Sequence, residues 1–475
     1  MIGWKGLILL GLLSSALILI LTLTLTLSGC DRLFSSSPVA IISATPTVGR
    51  PPLTVRFDGT SSYDPDGSIT TYRWDFGDGE RATGPKVSHT YTGAGFFMVV
   101  LTVEDDSGKR GRDSIIIRNF SFTRVTLPAG DGPISGEVGD FDGDGDQDLF
   151  ITNQLGDEAT ILISNGDGSF RPSRMALGDG PVYLEAADLD KDGLLDLAVA
   201  NLISSTVSIL LGNGDGSFKR FRDQAVGTAP ISLVIVDLDQ DGNLDIAVVN
   251  DFCDDILLLW GEGDGTFTQG NRLKDERLEN LKSITWGDFD GDGLPDLAAV
   301  ARDSGNLGIF LGTGERDFPT SRRFLLPLEA GERPMIVRRA ELNGDGKDDL
   351  IVAEDGGLII LLGRGLGEGS KGARAFFSPI SVELPLAGPP SALAVLELDR
   401  DGNLDLAVAD RLEGRVFLLL GRGDGTFELE PPTWFDVGRG PTAVLPIEAN
   451  NDGRIDLVTT NRDEDTLTML LNATP

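Results

Sequence analysis

The sequence predicts an all-β protein in which a β-sandwich precedes a seven-bladed β-propeller. Three observations lead to this fold class: a sevenfold repeat, four short strand-like segments in each repeat, and a separate strand-rich module before the first repeat. The composition agrees with it, because 61 glycines and 24 prolines alongside 40% hydrophobic residues are typical of a turn-rich β protein rather than a disordered chain.

An acidic motif marks each repeat. It reads acid-x-(Asp/Asn)-x-Asp-Gly-x-x-Asp and recurs at intervals of 48 to 56 residues. Numbering the motif 1 to 9, positions 1, 3, 5 and 9 of the seven copies are Asp140, Asp142, Asp144 and Asp148; Asp188, Asp190, Asp192 and Asp196; Asp237, Asp239, Asp241 and Asp245; Asp288, Asp290, Asp292 and Asp296; Glu341, Asn343, Asp345 and Asp349; Glu397, Asp399, Asp401 and Asp405; and Glu448, Asn450, Asp452 and Asp456. Position 7 is Asp146, Leu194, Asn243, Leu294, Lys347, Asn403 and Arg454 in turn.

The residues around the motif predict four strands per repeat. A proline, which costs no ladder hydrogen bond at the first residue of a strand, lies seven residues before position 1 in six copies: Pro133, Pro181, Pro230, Pro334, Pro390 and Pro441. Two apolar strands follow the acidic loop, as in residues 195–200 and 207–212, and a Gly-Asp-Gly hairpin leads to a fourth strand that opens with phenylalanine. Four short strands in such a period correspond to one propeller blade.

The ends of the repeat array predict how the ring closes. The last copy stops after Leu467 to Asn472 and lacks a fourth strand, whereas a surplus strand, Phe122 to Leu127, precedes the first copy. If this N-terminal strand completes the last blade, the ring has seven blades and no open seam. The fifth repeat is the longest because its hairpin, Gly363 to Ala375, is expanded.

The loops are predicted to bind calcium. Ca²⁺ takes six to eight oxygen ligands, and alternate residues 1, 3 and 5 of a tightly curled loop can converge on one point. Glycine at position 6 permits the turn, position 7 can offer its carbonyl, and the aspartate at position 9 closes the shell. We therefore expect up to seven Ca²⁺ ions, one per blade. The fifth and seventh loops should bind most weakly, because Asn343 and Asn450 each remove one negative charge.

Other interpretations of the loops are less favourable. An EF-hand needs glutamate at position 12, where the first two copies have Ile151 and Val199. Magnesium demands stricter octahedral geometry, and zinc would need thiolates or imidazoles. Loops without any metal would hold mutually repelling carboxylates in seven copies.

From Phe120 to the end, the chain resembles FG-GAP/VCBS repeat proteins, the type that forms the integrin α-subunit propeller and many bacterial surface proteins. The resemblance implies a non-enzymatic binding or adhesion protein that recognises a protein or glycan through the propeller. It also leaves open a polysaccharide-degrading lyase or hydrolase and an envelope-assembly factor. His89, the only histidine, precedes the propeller, which excludes a histidine-based triad in the ring but not a carboxylate pair or a tyrosine or arginine base. Residues that depart from the repeat indicate candidate ligand surfaces: Phe252, Trp260, Trp286, Arg338 and Arg339.

The module at residues 38–119 resembles a PKD domain, an Ig-like β-sandwich. The similarity lies in residues 62–67 (SYDPDG), 72–79 (YRWDFGDG) and 89–91 (HTY). Trp74 and Phe76 are predicted to pack between the sheets. Acidic turns at Asp64/Asp66 and at Asp75/Asp78 are predicted to be simple turns, with a further cation site as the alternative. Strands are expected at 39–43, 53–57, 68–74, 96–103 and 114–118.

The N-terminus is predicted to be a targeting segment, with a signal peptide at 1–29 and a lipidated Cys30 plus linker at 30–37. Lys5 precedes an apolar run from Gly6 to Leu27, and Leu27-Ser28-Gly29-Cys30 resembles the bacterial lipobox. That resemblance implies cleavage before Cys30 and acylation of its thiol and amine. The alternative is an uncleaved transmembrane anchor, because 22 apolar residues can span a bilayer. Both readings place residues 38–119 and the propeller at 120–475 outside the cytoplasm. The formal charge of −34 disfavours a nucleic-acid partner.

Overall fold

The computed structural model describes residues 36–328, 333–364 and 379–475, with side chains for all of these except 429–431. The chain divides into two compact units: one ends at Ser121 and includes Thr474–Pro475, and the other is Phe122–Ala473. The predicted signal peptide, Cys30 and most of the expanded hairpin of the fifth repeat lie outside the described residues. Within the described ranges, no helix is both long enough and apolar enough to cross a bilayer.

The first unit is a β-sandwich of two sheets, ordered β1-β3-β6 and β2-β8-β7-β4-β5. Its strands are β1 (Ser43–Thr45), β2 (Val48–Gly49), β3 (Leu53–Asp58), β4 (Ile69–Asp75), β5 (Arg81–Thr83), β6 (Lys86–Tyr91), β7 (Gly95–Asp105) and β8 (Arg110–Asn119). Trp74 and Phe76 are buried between the sheets with Phe57 and Tyr91, so their predicted packing role is confirmed.

The predicted strand at 39–43 is wrong. Only an isolated bridge from Val39 to Tyr63 and the first residue of β1 fall in this range. The backbone amide of Ile41 donates to Ser62 Oγ (2.9 Å) and that of Ile42 to Asp113 Oδ2 (2.8 Å), so side chains satisfy the donors that a ladder would have used.

The acidic turns of the sandwich are held by local pairing. Asp75 accepts from Arg81 Nε at 2.9 Å, and Asp78 lies 2.6 Å from His89 Nε2. Asp64 accepts a long 3.5 Å bond from the Asp66 amide. In the described part of the chain, these residues form no group of three metal-ligating side chains.

The second unit is a ring of seven four-stranded antiparallel sheets. Blade 1 is β10 (Pro133–Gly139), β11 (Asp148–Asn153), β12 (Glu158–Ser164) and β13 (Phe170–Ala176); blade 2 is β14 (Pro181–Ala187), β15 (Asp196–Asn201), β16 (Thr206–Gly212) and β17 (Phe218–Ala225); blade 3 is β18 (Pro230–Val236), β19 (Asp245–Asn250), β20 (Asp255–Gly261) and β21 (Phe267–Lys274); blade 4 is β22 (Leu281–Gly287), β23 (Asp296–Ala301), β24 (Asn306–Phe310) and β25 (Arg323–Pro327); blade 5 is β26 (Ile336–Ala340), β27 (Asp349–Glu354), β28 (Gly357–Leu361) and β29 (Ile380–Glu383); blade 6 is β30 (Pro390–Leu396), β31 (Asp405–Asp410), β32 (Arg415–Gly421) and β33 (Phe427–Asp436); blade 7 is β34 (Pro441–Ile447), β35 (Asp456–Asn461), β36 (Thr466–Asn472) and the N-terminal β9 (Phe122–Pro128). Two short 3-10 turns, Asp251–Cys253 and Thr320–Arg322, lie in blades 3 and 4.

The predicted closure is confirmed. Strand β9 pairs antiparallel with β36, with Phe122 opposite Asn472 and Pro128 opposite Thr466. Five of the six repeat prolines begin the innermost strand of their blade, whereas Pro334 lies two residues before β26. Both faces of each blade are covered by neighbouring blades, and the second strand is therefore buried at all six positions in every blade.

Candidate metal centres

All seven acidic loops lie at the same end of the ring. Each connects the innermost strand of a blade to the second strand, and its position 9 is the first residue of that second strand. The repeat of the strand register from blade to blade therefore places the loops in a circle at one end of the ring.

In five loops, the side chains at positions 1, 3 and 9 come together. One carboxylate oxygen from each residue lies within 4.8 Å of the other two in blades 1, 2, 3, 4 and 6: Asp140, Asp142 and Asp148; Asp188, Asp190 and Asp196; Asp237, Asp239 and Asp245; Asp288, Asp290 and Asp296; Glu397, Asp399 and Asp405. Three convergent carboxylates are the ligand type that Ca²⁺ prefers.

The position-5 aspartates lie outside these groups. Each accepts the backbone N–H of position 7, as Asp192 does from Leu194 (2.9 Å) and Asp241 does from Asn243 (2.8 Å). The same bond occurs in the other loops, from Asp146, Leu294, Lys347, Asn403 and Arg454. One oxygen of the position-5 carboxylate thus stabilises the turn of the loop, and the three-carboxylate group consists of positions 1, 3 and 9.

The fifth and seventh loops differ in charge. Asn343 and Asn450 occupy position 3, so neither loop forms a three-carboxylate group within the described residues. Position 7 is a cation in both loops, and it pairs with position 5: Lys347 Nζ lies 3.4 Å from Asp345, and Arg454 Nη1 lies 3.2 Å from Asp452. A neutral ligand and a nearby cation both reduce the attraction for a metal ion, which supports the expectation that these two loops bind most weakly.

The aspartate at position 9 also holds the blade together. In blade 4, Asp296 Oδ2 accepts the Phe289 amide (2.9 Å) and Oδ1 accepts the Gly312 amide (2.8 Å). The equivalent pair of bonds occurs in all seven blades, on Asp148, Asp196, Asp245, Asp349, Asp405 and Asp456 as well. This buried carboxylate therefore joins the acidic loop to the end of the third strand.

The electrostatics of these aspartates favour a bound cation. Burial raises the pKa of the position-9 carboxyls, the two backbone bonds oppose that effect, and the neighbouring loop carboxylates raise the pKa further. The pKa reaches about 6 in Asp196, Asp245 and Asp456, about 7 in Asp405 and about 8 in Asp296. A divalent ion would favour the ionised form of each group.

Two position-1 residues provide a further test of the fit. Asp237 Oδ1 and Glu397 Oε1 are buried oxygens that accept no hydrogen bond from any residue in the described ranges. A buried acceptor without a partner is costly, and a cation among the three carboxylates would satisfy it. The donor set thus suits Ca²⁺, which the oxygens of positions 1, 3 and 9 would hold together with the position-7 carbonyl and water.

Arginines contact two of the loops. Arg322 Nη2 of blade 4 lies 3.0 Å from Asp290 and 2.8 Å from Asp292 in its own loop. Arg316 stands at the hairpin position that is glycine in blades 1, 2, 3 and 6. Its side chain extends to the neighbouring blade 3 and lies 2.7 Å from Asp239 and 3.2 Å from Asp241. These cations compensate the charge of positions 3 and 5, and they were not predicted from the repeat.

Removing Arg322 should strengthen calcium binding in blade 4. Arg322→Ala removes a positive charge beside two loop carboxylates, and we expect that one site to bind calcium about three- to tenfold more tightly by calorimetric titration. The matched control is Arg323→Ala, because Arg323 contacts the carbonyls of Phe318 and Lys274 instead. Equal calcium affinities in both variants would contradict this role for Arg322.

The opposite end of the ring carries exposed apolar side chains. The turn between the second and third strands lies at the end away from the acidic loops, because successive connections of an antiparallel sheet alternate ends. Leu155, Ile203, Phe252 and Leu412 occupy the same position of this turn in blades 1, 2, 3 and 6, with 67%, 68%, 81% and 69% of their surface exposed. We call these four residues the apolar arc.

The other residues that depart from the repeat have different surroundings. Trp260 is buried in the core between blades 3 and 4. Trp286 is half-buried, and the Arg339 guanidinium lies 4.3 Å from the centre of its ring. Of the predicted surface candidates, therefore, Phe252 is on the open surface, whereas Trp260 serves packing.

The curated proteins that match this chain are similar to it over short segments only. Collagenase ColA of Clostridium perfringens is 50% identical over 54 residues, which are 11% of this chain and 5% of the collagenase. The pre-pro-metalloprotease PrtV of Vibrio cholerae is 48% identical over 56 residues, 12% of this chain and 6% of that protein. This chain thus spans only a small fraction of these relatives. The crystal structure of BBS1N in complex with ARL6DN, soaked with lead, matches with a TM-score of 0.51 at 16% identity, over 74% of this chain and 97% of that one, which is a likeness of fold alone.

Family models match both units. The PKD domain model matches residues 35–118. The FG-GAP-like repeat model matches residues 140–199, 188–248, 237–299, 341–408 and 397–459, which together are more than half of the chain. The chain belongs to the family of FG-GAP-like repeat proteins, with a PKD domain before its β-propeller.

Proposed function

We propose that this is a calcium-stabilised, membrane-tethered binding protein that recognises an extracytoplasmic partner through its propeller. The observation that carries the proposal is the apolar arc, which presents large aliphatic and aromatic side chains to solvent at one end of the ring, each with more than two thirds of its surface exposed. Exposed apolar groups clustered at one end of a fold are typical of interaction surfaces.

A protein is the favoured partner. Leucine and isoleucine at the tips of three turns suit an apolar contact better than a sugar, whose hydroxyls need hydrogen-bond partners. Aspartates stand at the same turn position in blades 4 and 7, Asp303 and Asp463, and would supply a charged rim. A glycan ligand is the alternative, and a binding screen on proteins and glycans distinguishes the two.

The direct test is a binding screen of the full chain on arrays of extracellular-matrix proteins and of glycans, with and without calcium chelator. We expect calcium-dependent binding on the protein array, because loss of the ions loosens the ring that positions the turns. Turnover of an arrayed polysaccharide would instead favour a carbohydrate-active enzyme and contradict the proposal.

Phe252 should contribute most to the interaction. Phe252→Asp replaces the most exposed side chain of the apolar arc with a charged one, and we expect the affinity for the captured protein to fall at least about tenfold by surface plasmon resonance. The control is Phe221→Ser, on the outermost strand of blade 2, which should leave the affinity unchanged. If Phe252→Asp binds as wild type does, the arc is not the contact surface.

The proposal includes lipid anchoring at Cys30, supported by the lipobox-like residues 27–30. Two or three acyl chains hold a protein on a bilayer firmly, whereas one does not. We expect Cys30→Ser to abolish incorporation of radiolabelled palmitate and to leave the precursor unprocessed. Unchanged labelling would exclude this anchor, and an unprocessed but unlabelled wild-type protein would indicate the uncleaved transmembrane alternative.

A further inference from the structure

The axis of the propeller contains a cavity of about 540 Å³ that the calcium loops and the apolar arc do not use. The innermost strands of the seven blades line it. Their register is the same in every blade, because the residue three places before the acidic loop always pairs with the residue two places after position 9. Seven side chains therefore surround the axis at one level: Glu137, Glu185, Val234, Thr285, Arg338, Ala394 and Leu445.

At this level of the cavity, the negative and positive side chains come from different sides of the ring. Glu137 and Glu185 come from the adjacent blades 1 and 2, whereas Arg338 comes from blade 5. Blade 5 is three blades away from blade 2 in one direction and three away from blade 1 in the other. The ring thus places the guanidinium across the axis from the two carboxylates.

The charges face the cavity without pairing with each other. Glu185 accepts the Ile235 amide (2.9 Å) and a hydrogen bond from the Tyr183 hydroxyl, and Arg338 donates to the Val337 carbonyl (3.0 Å). Among the described residues, no ion pair within 4.0 Å joins Arg338 to either glutamate. The side chains of Glu137, Tyr183, Glu185 and Arg338 are all half-buried. A charge held in a confined space without an ion-pair partner is costly, and a ligand could relieve that cost.

The other cations of the cavity already have carboxylate partners. Lys282 Nζ lies 3.0 Å from both oxygens of Asp251, and Arg339 Nη1 lies 3.4 Å from Asp348. Within the described lining, Arg338 is the cation that remains for an anionic group. A simple metal cation would be repelled by Arg338, and a simple anion would be repelled by the two glutamates.

We propose that the axial cavity binds a small zwitterion, a molecule with a protonated amine at one end and a carboxylate at the other. The amine lies between Glu137 and Glu185 with the Tyr183 hydroxyl beside it, and the carboxylate pairs with Arg338. Hydroxyls of Ser135, Ser232 and Ser283 line the same cavity and provide further hydrogen bonds. This binding is independent of the partner proposed for the apolar arc.

Proton release on binding distinguishes a ligand site from a set of charges that only stabilises the ring. Burial raises the pKa of Glu137 to about 7, and burial together with the charge of Glu137 raises that of Glu185 to about 8. The Arg338 guanidinium across the cavity lowers both pKa values, and the Tyr183 hydroxyl bond lowers that of Glu185. An ammonium between the two groups favours their ionised forms, so binding at pH 7.5 should release a proton.

The test is isothermal calorimetry on the calcium-loaded full chain at pH 7.5. The probes are glycine, 4-aminobutyrate and 6-aminohexanoate, which differ in the distance between their charges, with butylamine and butyrate as single-charge analogues. We expect at least one zwitterion to bind at least about tenfold more tightly than both analogues. Its binding enthalpy should also differ between phosphate and Tris buffers by the heat of one proton.

Variants assign the two ends of the ligand. Glu185→Gln should weaken binding of the zwitterion at least about tenfold and reduce the buffer dependence to the smaller part that Glu137 contributes, whereas Arg338→Met should make butylamine bind as well as the zwitterion. Glu276→Gln, at an exposed glutamate outside the cavity lining, is the control and should change nothing. The proposal is overturned if no zwitterion binds, if butylamine binds wild type equally well, or if the two charge variants behave as the control does.

Discussion

Chelation of calcium is expected to lower the melting temperature of the propeller by about 10–20 °C at pH 8. Five loops bring three carboxylates together, and free calcium at a hundredfold its Kd stabilises a folded protein by about 2.7 kcal/mol for each site. For a unit of this size, the stabilisation summed over the five sites corresponds to a shift of about 10–20 °C in melting temperature. Differential scanning calorimetry of the full chain with calcium and with EDTA measures it.

The calcium effect should depend on pH in a defined direction. The pKa of Asp296 is raised from 3.8 to about 8 and that of Asp405 to about 7, so the folded, metal-free ring disfavours their ionised forms. Stability of the metal-free protein is therefore full below about pH 4 for these groups and declines as the pH rises to about 8. Calcium stabilises the ionised forms, so the shift that it causes should be larger at pH 8 than at pH 5.5. A shift that is equal at both pH values would contradict this linkage.

Replacement of Asp296 by alanine is expected to destabilise the propeller by about 3–5 kcal/mol in the presence of calcium. The change removes a fully buried carboxylate and leaves the amides of Phe289 and Gly312 without acceptors, and it also removes one of three candidate metal ligands. In a unit of this size the melting temperature should fall by about 5 °C.

The control for Asp296 lies in the same loop. Asp292→Ala removes the position-5 carboxylate, which accepts the Leu294 amide but lies outside the three-carboxylate group. Its effect should be under about 1 kcal/mol, as is usual for an exposed turn residue. If both variants have the same melting temperature, position 9 has no special role in joining the acidic loop to the blade.

The fold could be predicted from the sequence because its determinants are local and repeated. Each blade carries its own turn glycines and acidic loop, and six of the seven carry a proline at or just before the start of the innermost strand, so the seven copies reinforce one another. The closing strand was also predictable, because β9 is the one strand left over when strands are counted by fours. The error at residues 39–43 arose where side chains from distant positions, Ser62 and Asp113, replace the ladder.

The site was predicted less completely, because its details depend on contacts between blades. Spacing alone could not show that one oxygen of the position-5 carboxylate accepts the position-7 amide, or that positions 1, 3 and 9 form the closest group of carboxylates. Arg316 reaches a loop about 75 residues away in sequence. Glu137, Glu185 and Arg338 each look like ordinary strand residues, and only an alignment of the seven repeats at one strand position would have shown a charged level.

Native mass spectrometry of the calcium-loaded full chain tests the central claim most directly, because it counts the ions on each molecule. Loops 1, 2, 3, 4 and 6 should retain calcium at low free concentration, which gives a dominant species with five ions, and two more should appear as the concentration rises. A spectrum that shows the bare polypeptide mass at every calcium concentration would contradict the account.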